Sequence, residues 1–343
     1  MTDRPAPTIK DIARLLGVAV STVGRALQNN PRISQDMRDR VHQTARDIGY
    51  VANSTAATMR SKSSKLVGFL VPDVEDNDSA TIAKAVAQSC NRAGLQLMLA
   101  MSEDDPQREH AHLQTLVGAR AAGLIIVPTL TPTPESLAII QRLPFIQVIR
   151  HLPNLSSDYF VYDDEAGMRT ATEHLLALGH RRIAYVGTLA ALSTGARRLA
   201  GFHRAHRDAG LEADPRLIAT LPPSADGVGH ALRDMLTRSR PTAVIAGGSR
   251  ITVALLAAID DAGIVVPDAL SVIGFGDHAW STWWRGGLTT LGLPIRELAA
   301  ESGALLVERV TGVRSDDAPS IDTPRHVSHP LKLIVRRTTQ QIR

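Results

Sequence analysis

The residues best suited to chemistry lie near the start of the chain, on one face of a predicted helix. The outward face of that helix consists of Val20, Ser21, Gly24 and Arg25. Val23 and Leu27 are four residues apart and are predicted to face inward. A small, polar and basic face fits the DNA major groove, where Arg25 can donate two hydrogen bonds to a guanine edge. The pattern therefore predicts sequence-specific DNA recognition, and an ordinary surface helix hairpin is the alternative.

Two further helices are predicted to hold this one in place. Thr8 and Asp11 have the spacing of a capping box for a first helix, and a turn at Gly17 ends that helix. A third helix is predicted to begin after Ser34 and to end at Gly49. The apolar positions predicted to face the core are Ile12, Leu15 and Leu16 in the first helix and Met37, Val41, Ala45 and Ile48 in the third. The spacing predicts an all-α head of the helix-turn-helix type.

The distribution of charge agrees with a DNA-binding head. The 343-residue chain has a net charge of +4, and residues 1–62 hold ten Lys and Arg against five Asp, a net of +5. The rest of the chain therefore carries a net charge of −1. A basic segment on a near-neutral remainder is typical of a protein in which only one part meets phosphates.

Three features of the composition indicate the compartment. No apolar run approaches the roughly 18 residues of a membrane span, and the first ten residues lack the apolar stretch of a signal peptide. The single cysteine, Cys90, cannot form an internal disulfide and lies in an apolar predicted helix, where it is expected to be a buried core residue. We therefore expect a cytoplasmic protein without a membrane anchor.

From Lys65 onward the pattern changes to alternating apolar strands and amphipathic helices. Strands are predicted at 66–71, 95–101, 123–128, 144–149, 183–187, 217–221, 243–246 and 270–275. Helices are predicted at 82–93, 110–121, 136–142, between 160 and 178, and at 197–209, 229–236 and 251–262. This alternation favours an α/β body with two doubly wound parallel sheets, and a ligand cleft is expected between them.

The whole chain resembles the LacI/GalR-type bacterial transcriptional repressors. The ordered series of matching stretches is 8–27, 53–60, 68–73, 173–175, 178–183, 198–202, 271–275, 288–290 and 333–338. The resemblance implies a homodimer, with a tetramer left open, that binds palindromic operator DNA. It also implies a body of the periplasmic-binding-protein type with a small-molecule effector between its subdomains.

The resemblance further implies where the domains begin and end. The helix-turn-helix domain is expected at 1–52, a hinge helix at 53–63 and the effector-binding and dimerisation domain at 64–343. The N-subdomain is expected at about 64–162 and 293–323, and the C-subdomain at about 163–292 and 324–343. The chain should thus cross between the subdomains near Tyr162, Gly292 and Thr323.

Carried over position by position, the resemblance implies a set of DNA contacts. These fall on Thr8, Val20, Ser21, Thr22, Arg25, Asn53, Ala56, Met59 and Arg60. Met59 stands where a leucine usually enters the minor groove and kinks the DNA, and simple packing between hinge helices is the alternative. The head departs from the family at Ala19, Gly24 and Ala52, where a capping residue, a serine and a proline are usual. We therefore expect a head that is looser than typical until it binds.

The resemblance also implies an effector site, but its residues depart from the family's sugar-binding pattern. The positions concerned are Asp78, Ser79, Arg150, Thr194, Arg198, Ser224, Ser249 and Asp277. Asp78, Ser79 and Ser224 replace usual aromatics, Gly248-Ser249 replaces a usual Asn-Asp pair, and Gly276 replaces the first usual Asp after Gly-Phe.

Basic side chains remain at the expected cleft. Arg150 and Arg198, with Arg250 or Arg285 as further candidates, suit carboxylates or phosphates. A small organic acid or sugar acid is therefore expected ahead of a neutral sugar, with structural salt bridges as the alternative role of these arginines. Trp280, Trp283 and Trp284 are expected in the core or the cleft wall.

No pattern in the chain predicts catalysis. There is no Gly-x-Ser-x-Gly elbow, no phosphate-binding loop ending in Gly-Lys-Ser/Thr, and no cysteine pair for zinc. His110 with His112 and His203 with His206 lack further ligands at telling spacing, which favours solvated helix faces over metal binding. We expect no enzyme activity, no cofactor and no metal. Of the rival classes, an exported solute-binding protein would need a signal peptide, and a sugar-processing enzyme would need a convergent acid/base or phosphate site.

Overall fold

The computed structural model describes residues 7–50, 64–75, 77–222, 224–313 and 323–342. The chain divides into two compact units, Met1–Ser63 and Ser64–Arg343. We call the first unit the head and the second the body, and each is described by itself.

The described part of the head is a bundle of three helices. They are α1 (Ile9–Leu16), α2 (Val20–Leu27) and α3 (Gln35–Asp47). The carboxylate of Asp11 accepts hydrogen bonds from the backbone N–H of Thr8 (2.9 Å) and from its hydroxyl (2.7 Å). Gly17 ends α1 in the left-handed conformation (φ +65°), which costs glycine little. The predicted helix-turn-helix is present.

The core of the head differs from the prediction at two positions. Leu15 is 59% exposed, and Ala13 is buried beside Ile12 in its place. Gly24 is half-buried rather than outward, since a Cβ atom there would lie 3.6 Å from Ile9 Cδ1. Gly24 therefore lies against α1, which the outward assignment did not anticipate.

The body consists of two six-stranded sheets with helices on both faces. Its strands are β1 (Leu66–Val71), β2 (Gln96–Met101), β3 (Gly123–Ile126), β4 (Phe145–Val148), β5 (Asp158–Tyr162), β6 (Ile183–Thr188), β7 (Ile218–Leu221), β8 (Ala243–Gly247), β9 (Ser271–Phe275), β10 (Thr289–Gly292), β11 (His326–His329) and β12 (Lys332–Ile334). Its helices are α4 (Asn77–Arg92), α5 (Pro106–Gly118), α6 (Pro134–Ile140), α7 (Asp164–Ala177), α8 (Ser193–Asp208), α9 (Val228–Arg238), α10 (Ser249–Asp261) and α11 (Ile295–Thr311).

The order of the strands defines two subdomains. The N-subdomain sheet has the order β11-β5-β4-β3-β1-β2 and is parallel throughout. The C-subdomain sheet has the order β12-β10-β9-β8-β6-β7, and only its edge strand β12 is antiparallel to its neighbour. This is the predicted α/β class with two doubly wound sheets. None of the described helices is long and apolar enough to cross a membrane.

Some elements begin or end away from the predicted positions. Helix α4 begins at Asn77 rather than at residue 82. Strand β5 was not predicted, because the sequence pattern indicated only a helix between residues 160 and 178. The third crossing lies at Pro330–Leu331 rather than near Thr323, because β11 pairs in parallel with β5 and so belongs to the N-subdomain. Val327 is the one apolar residue of β11, so no apolar run signals a strand there.

Gly24 provides a test of the packing in the head. Gly24→Ala should stabilise the head by about 1 kcal/mol, because alanine favours a helix over glycine and its methyl group would meet Ile9 at an ordinary contact distance. Gly17→Ala, the same chemical change at φ +65°, should destabilise the head by about 1 to 2 kcal/mol. Native-state hydrogen exchange of the head amides in the full chain measures both. A loss of protection in Gly24→Ala would show that α1 and α2 pack differently.

Candidate functional site

The outward face of α2 carries exposed side chains suited to DNA recognition. Val20 is 42% exposed, and Ser21 and Arg25 are exposed beside it. Arg25 makes no hydrogen bond or ion pair within the described residues, so its guanidinium can contact a ligand without breaking an internal bond. Thr22 is half-buried in the first turn of α2, and Thr8 is exposed but bonded to Asp11.

The remaining candidate DNA contacts belong to the predicted hinge helix, 53–63. Asn53, Ala56, Met59 and Arg60 lie outside the described residues. Their roles at the operator stay predictions from the sequence.

In the body, a cavity of about 110 Å³ lies where strands of both sheets end. On the N-subdomain side its wall includes Arg150 after β4 and Tyr162 at the end of β5. On the C-subdomain side it includes Thr188 at the end of β6 and Phe275 at the end of β9. Ligands of open α/β sheets bind in this position, beyond the carboxyl ends of the strands.

Arg198 on α8 lies in the C-subdomain wall of the cavity and is already paired. Its Nε atom donates to Asp164 Oδ1 (2.8 Å), and its Nη1 atom donates to the carbonyl oxygen of Gly247 (3.0 Å). The guanidinium also lies over the ring of Phe275, 3.9 Å from its centroid. Burial raises the pKa of Asp164, although Arg198 opposes that shift. Nη2 of Arg198 makes no hydrogen bond within the described part of the chain and remains for a ligand.

Arg150 on the N-subdomain wall is also paired. Its Nη1 and Nη2 atoms donate to the carboxylate of Asp104 at 2.5 and 3.3 Å. The preceding residue, Ile149, has a φ of +65°, and the N–H of Arg150 donates across it to the carbonyl oxygen of Val148 (2.6 Å). A positive φ at a β-branched residue costs about 1 to 3 kcal/mol, and here it accompanies the turn that brings Arg150 to the cavity.

Two side chains of α10 reach across the cavity from the C-subdomain to the N-subdomain. Ser249 Oγ donates to Asp78 Oδ2 (2.9 Å). Arg250 pairs with Asp73 and, at 3.5 Å, with Glu75. All three cavity arginines thus have an aspartate partner, which leaves little unbalanced positive charge in the cavity.

Two threonine hydroxyls in the cavity wall are not engaged. Thr188 Oγ1 is buried without a hydrogen-bond partner, and Thr194 is buried with no hydrogen bond from its hydroxyl among the described residues. Buried hydroxyls are usually satisfied, so unengaged ones in a cavity wall indicate a place where a polar ligand binds. They lie on the same wall as the remaining amino group of Arg198.

The structure brings six of the eight candidate effector residues to the cavity. These are Asp78, Ser79, Arg150, Thr194, Arg198 and Ser249. Ser224 is exposed in the turn after β7 and does not line the cavity. Asp277 also lies outside it and accepts hydrogen bonds from Arg336 (2.6 and 3.0 Å). Burial raises the pKa of Asp277, but the bonds from Arg336 and from two hydroxyls outweigh burial and hold it below its usual value.

Sequence reasoning missed several cavity residues. Asp73, Val127, Tyr162, Thr188 and Phe275 line the cavity and were not among the candidates. A usable signal existed, since each lies at or just after the carboxyl end of a strand of a parallel sheet.

The tryptophans lie away from the cavity. Trp280 and Trp284 pack against the core of the C-subdomain, whereas Trp283 is 70% exposed. Arg285 pairs with Asp260 at the surface and does not line the cavity. Cys90 is buried in the N-subdomain core, and burial raises the pKa of its thiol. Among the described residues, no three His, Cys, Asp or Glu side chains are grouped as a metal site.

Comparison with known proteins relates both units to one family. Residues 8–53 match the model of the bacterial regulatory proteins of the lacI family, and residues 172–339 match that of the periplasmic binding protein-like domain. The transcriptional regulator GalR of Escherichia coli (strain K12) is 32% identical over 300 residues, which cover 87% of this chain and 88% of GalR. The regulator DegA of Bacillus subtilis (strain 168) is 28% identical and covers 98% of both chains.

Solved structures show the same fold. The lac repressor dimer bound to operator and the anti-inducer ONPF matches with a TM-score of 0.82 and 22% identity, covering 98% of this chain and 99% of that one. The relatives are named as transcriptional regulators and not as enzymes.

The buried pair of Arg198 and Asp164 can be tested by removing one partner. Arg198→Ala should destabilise the body by about 3 to 5 kcal/mol, because it leaves a buried carboxylate without its counterion. The loss should be smaller near pH 4 than near pH 7, since Asp164 can then be protonated. Urea denaturation at both pH values measures this. Arg204→Ala, which breaks an exposed pair with Asp208 on the same helix, should cost less than about 1 kcal/mol. Equal losses in the two variants would show that the buried pair contributes no more than a surface pair.

Proposed function

Because the chain belongs to the LacI family of bacterial regulatory proteins, we propose that it is a repressor that binds a palindromic operator as a homodimer. Its affinity for the operator is controlled by a small effector in the cavity of the body. The relatives are regulators of transcription, so we propose no catalytic step. A protein with this role works on the chromosome, in the cytoplasm.

The exposed face of α2 is the observation that carries the DNA-binding role. Val20, Ser21 and Arg25 face away from the core of the head, and Arg25 is not used by any internal contact in the described residues. In helix-turn-helix proteins the second helix lies in the major groove, with its N-terminal residues at the base edges. We assign Val20, Ser21 and Arg25 to the bases, and Thr8 and Thr22 to the nearby DNA backbone.

Apolar side chains on the surface of the body support a homodimer. Leu99 and Met101 are exposed on β2, the edge strand of the N-subdomain sheet, and Val253 and Trp283 are exposed in the C-subdomain. Leu99 and Met101 are two residues apart and therefore share one face of β2, and contiguous exposed apolar surface commonly marks protein contacts. The structurally similar lac repressor is a dimer on its operator, and a dimer fits a palindromic site because both have a two-fold axis.

The contacts in the cavity favour a neutral effector over the acid that the sequence suggested. Arg150, Arg198 and Arg250 are each paired with an aspartate, so an anion would have to displace a carboxylate to gain a counterion. The hydroxyls of Thr188 and Thr194 and the remaining amino group of Arg198 instead suit a partner that both donates and accepts. We propose a small, uncharged effector rich in hydroxyl groups.

The size of the cavity limits the effector further. Its volume of about 110 Å³ is smaller than the cavity of about 150 Å³ that takes up benzene in an engineered protein. A monosaccharide is larger than benzene, so even a ligand of this size would require the subdomains to separate slightly, and larger compounds would require them to separate more.

Arg25→Ala tests the DNA-binding assignment. The operator affinity should fall by about 1 to 3 kcal/mol while binding to random DNA stays nearly unchanged, because a base contact is lost rather than a phosphate contact. Fluorescence anisotropy on both DNAs at the same salt concentration measures this. Arg14→Ala removes an exposed arginine of α1 that already pairs with Asp11 and serves as the control for charge. Equal losses on both DNAs in Arg25→Ala would place Arg25 at a phosphate.

Matched ligand pairs test the effector class. Thermal shifts with glucose against glucuronate, and galactose against galacturonate, vary the charge on an unchanged ring. A neutral member should raise the unfolding temperature, and Thr194→Val should weaken its binding by about tenfold, because one hydrogen bond is lost without a change of shape. Thr170→Val, on the surface of α7, is the control. If only glucuronate or galacturonate raises the unfolding temperature, the neutral effector is wrong and the acidic effector expected from the sequence is supported.

A further inference from the structure

We propose that a second groove in the body, at the hinge between the subdomains, binds a small carboxylate-bearing metabolite. The groove has a volume of about 590 Å³. We call it the hinge groove, and its defining residues are Thr81, His278, Pro294, Arg296, Glu297 and Lys332. It shares only Asp78 and Leu293 with the effector cavity, so a ligand in the groove would occupy a separate site.

The N-terminus of α11 opens on this groove without a cap. The residue before the helix is Pro294, which has no side-chain acceptor, and the first helical hydrogen bond runs from Leu298 N–H to the carbonyl oxygen of Pro294 (3.1 Å). The N–H groups of Ile295, Arg296 and Glu297 therefore have no acceptor within the described residues. A 17-residue helix presents partial positive charge at this end, and N–H groups that point outward bind oxyanions.

A buried histidine in the same groove is an independent sign of a ligand. His278 is only 9% exposed, and its ring makes no hydrogen bond or ion pair in the described part of the chain. The ring stacks on Trp280, with the centroids 5.7 Å apart, and this contact fixes its plane without satisfying its nitrogens. The ring lines the groove, and a carboxylate there would accept its N–H.

The charges around the groove favour one negative charge on the ligand. Arg296 and Lys332 are exposed and make no ion pair or hydrogen bond with any described residue, so both are available. Asp277 is held by Arg336, and Asp78 accepts from Ser249. Glu297 remains as an acidic neighbour that opposes a dianion. A monocarboxylate therefore matches the groove better than a phosphate dianion.

The position of the groove gives such a ligand a structural effect. His278 belongs to the C-subdomain, whereas α11 packs in the N-subdomain core through Leu298 and Leu305. A carboxylate held by both would favour the arrangement of the subdomains seen here, because it interacts more strongly with that arrangement than with a separated one.

The test follows the imidazole resonance of His278 by NMR in the full-length protein. The resonance is assigned as the one that is missing from the spectrum of His278→Gln. Sodium lactate and inorganic phosphate are titrated separately at constant ionic strength. We expect a saturable shift of the His278 resonance with lactate. Thr194→Val, which alters the effector cavity and not the hinge groove, should show the same shift. The proposal for the groove can therefore be tested independently of the proposal for the effector.

Variants of the groove complete the test. Arg296→Ala combined with Lys332→Ala should weaken lactate binding by about tenfold or more, because two charge-assisted contacts are lost. Arg233→Ala removes an exposed arginine from α9 and should change nothing. The proposal is overturned by the absence of a saturable shift with lactate, by binding of phosphate alone, or by an unchanged affinity in the double variant.

Discussion

The body is built around the buried contact between Arg198 and Asp164, which joins α8 to α7 below the cavity. The two helices can approach because Gly201 faces the backbone of α7, where a Cβ atom would lie 2.2 Å from the carbonyl oxygen of Glu165. The same guanidinium covers Phe275 at the end of β9 and bonds to Gly247 at the end of β8. From α8, the Arg198 side chain therefore contacts α7 and the ends of β8 and β9, and its Nε and Nη1 atoms are used in these contacts.

Local sequence signals predicted most of the helices and strands, whereas contacts between residues far apart in the chain could not be predicted from the sequence. The cap at Thr8 and Asp11, the left-handed Gly17 and the apolar strand β1 depend on neighbouring residues and could be recognised from their spacing. The partner of Arg150 is 46 residues away along the chain, and Asp73 and Arg250 are 177 residues apart. Nothing in the spacing indicates such partners, so the sequence showed three arginines at the cleft without the aspartates that neutralise them.

The two walls of the cavity differ in the polar groups that are available to bind a ligand. The N-subdomain wall contributes Arg150, already paired, and Asp78, which accepts from Ser249. The C-subdomain wall contributes hydroxyls that remain unengaged and part of one guanidinium. A ligand would thus be held mainly from one side, and the bonds of Ser249 and Arg250 to the opposite wall would adjust as the subdomains move.

The positions of β11 and β12 affect how the protein is made on the ribosome. Both sheets receive an edge strand from residues 326–334. Strand β11 lies beside β5 in the N-subdomain sheet, and β12 lies beside β10 in the C-subdomain sheet. The head is contiguous in sequence and can fold as soon as it emerges, whereas the N-subdomain sheet is complete only after His329 and the C-subdomain sheet only after Ile334. Until then β5 and β10 each have an open edge, and such edges pair readily with other chains. Nascent chains of this protein should therefore depend on chaperones for longer than the order of their domains would suggest.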